Sequence, residues 1–345
     1  MTDAFDTPEQ AEFDFDLPDD RGRWGWYKLK NPETMDAMTA KRASSFGKVI
    51  GDRTALEKWG ERNAVVGMSR RPDLFSLVHG KEVKRDSTEL NKLIADAKQA
   101  AGSGAAANLG TAVHGYAEQM DCGRWSLDDV PPQHRADLQA YKVRLAGANI
   151  LTFPDLIERI TYIPEFDVAG KFDRIVQLPD GSHVIADLKT GSIEYSIMEI
   201  EIQLALYAHG VNSSGIWSKR DKKWGRECAK VREDIAIIIH LPVGQGECTL
   251  HFIDIERGWK NAELCDRIHK ARKERVKSAV FTNARNLPPA PVEAPVRPLS
   301  WHERFAAVTS REEASELYQE AKSQVSGTEL SGLVALAQGV LKNLA

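Results

Sequence analysis

The spacing of apolar positions changes twice along the chain. Residues 24–100 are mixed in character, with stretches of helical period that include Leu56, Trp59 and Val65. Over residues 108–120 the stripe becomes regular. Val113, Tyr116, Ala117 and Met120 stand at i, i+3, i+4 and i+7, the pattern of a helix with one buried face. A small-residue run (residues 101–107) leads into it, and a further helix is expected over residues 134–146. The period then falls to two, so residues 156–163, 170–178 and 183–188 read as three successive strands. Residues 198–209 return to helical spacing, with Ile202, Ala205 and Leu206 inward. Residues 235–241 and 248–255 read as a strand pair around Gly244-Gln245-Gly246. Residues 258–279 read as a basic amphipathic helix with Leu264, Ile268 and Ala271 inward. No internal repeat is present.

The ends differ from the middle. Residues 1–20 carry eight acidic side chains and no basic one, the composition of a disordered tail. Five of the residues 288–298 are proline, which predicts a stiff polyproline II linker. Beyond it, residues 300–345 read as a small helical appendage. Thr309-Ser310-Arg311-Glu312-Glu313 offers a capping-box start there. The expected organisation is an acidic tail (1–20), a main domain (21–285), a proline-rich linker (286–299) and the appendage (300–345). Within the main domain a helical part covers 21–150 and the chemistry-bearing core about 105–280.

Composition narrows the class. A chain of 345 residues with 42% hydrophobic and 28% charged side chains is ordinary for a globular protein. No apolar run reaches about 18 residues, so no membrane partner is expected, and the acidic start lacks the apolar stretch of a secretory signal. Cys122, Cys228, Cys248 and Cys265 are too scattered for a disulfide scaffold, and no Cys-x-x-Cys suggests a zinc ribbon or an iron–sulfur cluster. A reduced cytoplasmic setting is expected. The net charge is −4, yet residues 219–232 and 257–277 each carry a local +5. Such runs are usually solvated faces and gain meaning only beside a phosphate-handling site.

The informative stretch is Gly170-Lys171-Phe172-Asp173-Arg174-Ile175, then Pro179-Asp180-Gly181, then Ile185-Ala186-Asp187-Leu188-Lys189-Thr190-Gly191. Pro-Asp-Gly suits a three-residue hairpin loop with glycine in the left-handed position. A loop of residues 179–181 pairs Leu178 with Ser182, and counting back along both strands sets Asp173 opposite Asp187. Alternation puts Asp187 and Lys189 on one face and Leu188 on the other. Opposed carboxylates repel, and a divalent cation would remove that penalty. His114 and Glu118 share a face of the 108–120 helix at i, i+4, and Gln203 and Tyr207 show the same spacing downstream. The glycines of residues 101–115 follow no strand at dinucleotide spacing, and no G-x-x-x-x-G-K-[ST] run exists, so ATP hydrolysis is not expected.

Leu109-Gly110-Thr111-Ala112-Val113-His114, the Gly170–Asp173 segment, Asp187-Leu188-Lys189 and Gln203 with Tyr207 occur in an order that resembles the RecB-like branch of the PD-(D/E)XK nucleases, including stand-alone phage RecB-like exonucleases. The likeness is direct over about residues 105–210. It implies an α/β, restriction-endonuclease-like fold: a central mixed sheet flanked by helices. It implies that Asp173, Asp187, the Leu188 backbone carbonyl and His114 hold Mg²⁺ or Mn²⁺, with Glu118 and Glu158 as further acidic candidates. Lys189 would orient or deprotonate the attacking water, and Gln203 and Tyr207 would steady the site and the DNA backbone. The implied activity is exonucleolytic hydrolysis of DNA ends, duplex or single-stranded, in recombination, repair or phage replication. The compartment would then be the host cytoplasm if the gene is a phage's. Some relatives hold an iron–sulfur cluster through one cysteine before the histidine motif and three near the C-terminus. This chain departs from that spacing, so no cluster is expected. Lys219, Arg220, Lys222, Lys223 and Arg226 of the first basic run, and Lys270, Arg272 and Lys273 of the second, are the expected DNA contacts. Trp217 and Trp224 are expected to stack on bases, and Trp24, Trp26 and Trp59 to lie in the core. The competing readings are a silent DNA-binding scaffold for a recombinase or annealing protein, and a structure-specific endonuclease.

Overall fold

A computed structural model describes residues 13–194, 196–226, 230–274 and 298–343. The first elements are short strands, β1 (Tyr27–Lys30) and β2 (Ala37–Arg42), followed by helices α1 (Thr54–Arg70), α2 (Pro72–Val78), α3 (Ser87–Ala100), α4 (Ala105–Asp121) and α5 (Arg135–Gly147). The alternating segments then form β3 (Leu151–Ile163), β4 (Val168–Gln177) and β5 (His183–Lys189). After α6 (Ile197–Ser213) come β6 (Ile216–Ser218), β7 (Lys223–Gly225), β8 (Ile235–His240), β9 (Thr249–Asp254) and α7 (Ile255–Lys273).

The strands build one mixed sheet in the order β7-β6-β3-β4-β5-β8-β9, with β2 added to β4 and β1 to β2. β5 and β8 run parallel because α6 provides the crossover between them. Both faces of the sheet are covered. Ile185 and Ile238 pack under α6 and α7. Ala186, Leu188, Ile237 and Ile239 pack under Val113 and Ala117 of α4 and Leu138, Tyr141 and Leu145 of α5. That is why β8, Ile-Ala-Ile-Ile-Ile-His, is apolar on both sides rather than alternating. The fold class expected from the sequence is the one observed.

Several expectations change. The first basic run conceals the β6–β7 hairpin, where Trp217 pairs with Trp224. Both indoles pack with Tyr27, Leu29 and Tyr162, and Trp217 is buried, so neither is a base-stacking platform. Trp24 is 72% exposed and Trp59 44% exposed, so they are not core side chains. The helical period of residues 54–70 is real, but Leu56, Trp59 and Val65 all face solvent; α1 buries glycines instead, with Gly67 seated against the Ala97 backbone of α3. The acidic tail is packed over residues 13–20: Asp16 pairs with Arg124, Asp14 with Arg159 and Asp19 with Lys219. Residues 1–12 and most of the expected proline linker lie outside the described residues.

The chain divides into two compact units, residues 1–275 and 276–345. In the second, α8 (Trp301–Ala306), α9 (Arg311–Gln324) and α10 (Thr328–Asn343) close around Phe305, Ala321, Leu333 and Ala337. Ser310 and Glu313 form the capping box that starts α9, as the sequence suggested, and Ser300 and Glu303 form another. Among the described residues, no helix is long and apolar enough to cross a membrane.

Candidate active site

One edge of β4 has two neighbours in succession. β2 pairs with its start, Lys41 with Val168 and Arg42 with Ala169, and β5 pairs with its end, Arg174 with Ala186 through Gln177 with His183. Residues 170–173 lie at the fork between them. The 179–181 turn sets this register. Leu178 N–H donates to the Ser182 carbonyl at 2.8 Å, and Gly181 takes φ +84°. The same register brings Asp173 level with Asp187, as the turn chemistry predicts. Where β5 leaves β4, the Leu188 N–H loses its strand partner and donates instead to Asp173 Oδ2 at 2.9 Å.

On the other edge of β4 the pairs Ile157–Arg174 and Arg159–Phe172 bring Glu158 level with Asp173 as well. Glu158 has φ +52° and follows a register shift between Thr152 and Ile157. A left-handed glutamate costs about 1–2 kcal/mol of backbone strain, of the kind stored at functional sites. Three carboxylates, Glu158, Asp173 and Asp187, thus stand in a row across three strands. The Lys171 ammonium meets Glu158 at one end and the Lys189 ammonium meets Asp187 at the other.

α4 lies over this row. Gly110 makes the approach possible, since a Cβ there would sit 2.5 Å from Thr190 Oγ1. Val113 and Ala117 pack on the sheet with Leu188. That seating brings His114 Nδ1 to 3.5 Å from Asp173 Oδ2 and sets its ring against the Leu188 carbonyl. His114, Glu118, Glu158 and Lys171 line an open cleft of about 550 Å³. Beneath it, fully buried Arg174 ties the two layers together. Its Nη1 lies 3.0 Å from Asp121 Oδ2 at the end of α4, and Tyr141 OH of α5 donates to the same carboxylate at 2.7 Å. Lys171, Arg174, Asp121 and Tyr141 were not singled out from the sequence. An arginine directly after Asp173, followed by the apolar pair Ile175-Val176, was the available signal.

The site is over-supplied with negative charge. Glu118, Glu158, Asp173 and Asp187 face Lys171 and Lys189, two carboxylates in excess when all are ionised. Burial and then the Asp173 carboxylate push Asp187 up to about 6 and Glu158 up to about 8. Burial raises Glu118 also. Burial pulls Lys189 down, but the Asp187 and Asp173 carboxylates outweigh it, so its amine stays protonated. Burial lowers His114, which keeps its imidazole neutral and able to donate a lone pair. Among the described residues no three His, Cys, Asp or Glu side chains are placed together to hold a metal ion. The donors are instead held by internal contacts, and buried Asp187 Oδ2 has no partner there but the Lys189 ammonium. Carboxylate and carbonyl oxygens with one imidazole, in charge excess, fit a hard divalent cation.

The remaining expected residues divide. Gln203 Nε2 donates to Tyr207 OH at 3.0 Å. Tyr207 is buried, and a Cβ at Gly170 would lie 2.2 Å from its ring. Tyr207 therefore cannot touch a DNA backbone; its hydroxyl feels the Asp187 and Asp173 carboxylates and accepts from Gln203. Lys219 is buried, with Nζ donating to the Leu17 carbonyl at 2.7 Å and 2.9 Å from Asp19, so it is not an open DNA contact. Arg220, Lys222, Lys223 and Arg226 are exposed around the β6–β7 hairpin, and Lys270, Arg272 and Lys273 on the last turn of α7. None of them lines the site cleft; the cation that does is Lys171.

A family model described as the PD-(D/E)XK nuclease superfamily matches residues 85–323 of this sequence. Among curated proteins nothing matches.

Proposed function

The chain belongs to the PD-(D/E)XK nuclease superfamily, and on that premise we propose that it is a metal-dependent exonuclease that hydrolyses phosphodiester bonds at DNA ends. The observation that carries the reading is the carboxylate row Glu158–Asp173–Asp187 with Lys189 against its last member. Asp173, Asp187, His114 and the Leu188 carbonyl would hold the cation, with Glu118 and Glu158 beside them. The chemistry a bound divalent cation supplies is polarisation of the scissile phosphoryl oxygen and a more acidic water. Mg²⁺ suits the carboxylates, and the imidazole favours Mn²⁺.

The chain's own groups divide the rest of the work. Lys189, held as an ammonium by its two carboxylate neighbours, acts by charge: it orients the attacking water and offsets the scissile phosphate. Lys171 stands at the opposite end of the row and neutralises the neighbouring phosphate. Gln203 keeps its amide fixed on the Tyr207 hydroxyl. The products would carry a 5′-phosphate and a 3′-hydroxyl. Action at ends, in recombination, repair or phage replication beside an annealing or recombinase protein, is supported by the likeness to RecB-like exonucleases, above all by His114 ahead of the two aspartates.

The test is digestion of end-labelled linear DNA, each strand labelled in turn, next to closed circular DNA, in Mg²⁺ and in Mn²⁺. Linear DNA is expected to be consumed and the circle spared. Asp187→Ala and Lys189→Ala should each lower the rate at least about a hundredfold without loss of the folded state. Wild-type activity in either variant would reject the site, and cutting of the circle would reject action at ends.

A further inference from the structure

A second cleft, of about 400 Å³, opens on the same strand at the other side of the β2 junction. Its size falls in the range of roughly 300–1,000 Å³ that suits a small ligand group. Trp24 and Trp26 form one wall, on the turn before β1, where Gly25 closes the chain on Gly22 with φ +72°. Phe46 and Phe166, with ring centroids 5.2 Å apart, form the floor. Exposed Lys41 and Arg42 at the end of β2, and Lys270 and Lys273 at the end of α7, stand around it.

We propose that this cleft is a second nucleic-acid site, which takes an unpaired stretch of DNA by stacking its bases on Trp24 and Trp26 and holding its phosphates with Lys41, Arg42, Lys270 and Lys273. The inference rests on the DNA reading above and adds a place for the strand beyond the reacting bond.

Three observations converge on it. A tryptophan left 72% exposed at a turn tip exposes a large apolar face to water. Each indole already has a cation beside its face, Arg23 at 5.3 Å from the Trp24 ring and Lys41 at 5.4 Å from the Trp26 ring. An aromatic plane with a neighbouring cation is the pair that an unpaired nucleotide uses, base on ring and phosphate on charge. The cleft also lies within one strand length of the site, on the α6–α7 side of the sheet. Val168 lines it, and Asp173 is five residues farther along β4. At about 3.3 Å per residue that is roughly 16 Å, about five bases at the ~3.4 Å rise of a stacked strand. The acidic groups leave the cleft open to phosphate. Asp266 is taken by Lys270 at 2.6 Å. Glu165 and Asp167 belong to the connection between β3 and β4 and turn a phosphate away, which leaves β2 and α7 to carry the backbone.

The full chain with Asp187→Asn, in EDTA to prevent cleavage, is titrated against labelled oligothymidylate. Trp24→Ala, and separately Lys270→Glu with Lys273→Glu, should weaken binding roughly tenfold, the size of one lost stacked base. Trp59→Ala, exposed on α1 outside the cleft, should leave binding unchanged. Equal affinity in all variants overturns the proposal. So does a cleft that loses binding of an acidic aromatic peptide while oligothymidylate affinity is retained, since its occupant is then a protein tail. Metal-dependent hydrolysis by the wild type is measured in parallel. Hydrolysis with unchanged affinities rejects the cleft alone; cleft-dependent affinity without hydrolysis rejects the nuclease reading alone.

Discussion

At the scale of single residues, the site stores repulsion. Glu158 and Asp187 flank Asp173, and burial together with that neighbour pushes them up to about 8 and about 6. A carboxyl whose folded pKa exceeds its unfolded value, 4.5 for Glu158 and 3.8 for Asp187, binds a proton on folding. Its contribution is full at acid pH and is lost as pH rises through the folded value. The metal-free protein should therefore lose on the order of a few kcal/mol of stability between about pH 4 and pH 8. Glu158→Gln should flatten the upper part of that slope, as denaturant unfolding in EDTA at several pH values would show. Cation binding needs these groups ionised, so protons leave when it binds. The rise in melting temperature on adding Mn²⁺ should then grow with pH over the same interval. Identical Mn²⁺ shifts at both ends of the range would mean that the row does not hold the ion.

At the scale of elements, the site depends on how closely α4 can approach the end of β5. Gly110 sets that distance against Thr190, 2.5 Å from a would-be Cβ. Gly110→Ala should lift the helix, carry His114 away from Asp173, and weaken Mn²⁺ affinity about tenfold, the scale of lost metal-site support. Thr190→Ala removes the opposing hydroxyl, so the double variant should recover most of the loss in a metal titration. No recovery would place the fault in helix propensity or elsewhere. The same comparison explains what was legible. Asp173, Asp187 and Lys189 could be set together from the sequence because a three-residue turn with a left-handed glycine fixes hairpin register, and register fixes faces. Glu158 could be named but not oriented, because its left-handed backbone and the register shift before it leave no period to read. β6 and β7 were missed because three-residue strands carry no measurable alternation, and their charges drew the eye to solvent. Lys219 shows the consequence: it opens a basic run whose next cations, Arg220, Lys222, Lys223 and Arg226, are exposed, yet its own ammonium is buried.

At the scale of the whole first unit, charges far apart in sequence decide which cations remain available to DNA. The segment of residues 13–20 crosses several elements and supplies their counter-ions. Asp14 lies 3.4 Å from Arg159 of β3, and Asp16 accepts from Arg124, just beyond α4, at 2.8 Å. Asp19 lies 2.9 Å from Lys219 and 4.0 Å from Lys171 of β4. Arg159 and Lys219 are both buried. Deleting the whole segment would leave them unmatched, and breaking a buried pair costs about 3–5 kcal/mol. Removing only Asp16 and Asp19 is the gentler experiment, since it breaks one of those two buried pairs rather than both. Asp16→Asn with Asp19→Asn leaves Asp14 on Arg159 and keeps the Leu17 carbonyl on Lys219. It moves the net charge from −4 to −2 and takes one carboxylate from beside Arg124 and another from beside Lys171, which keeps Glu158. Each cation that then meets a phosphate adds about 0.9 to the slope of log affinity against log salt. The slope for a short duplex, measured with cleavage blocked, should steepen by between one and two units, and affinity at low salt should rise. Lys171 lines the site cleft, so the gain should fall with Lys171→Gln in the same background. An unaltered slope would mean that the acidic segment only braces the fold. A steeper one that depends on Lys171 would mean that the segment competes with the substrate backbone at the edge of the carboxylate row.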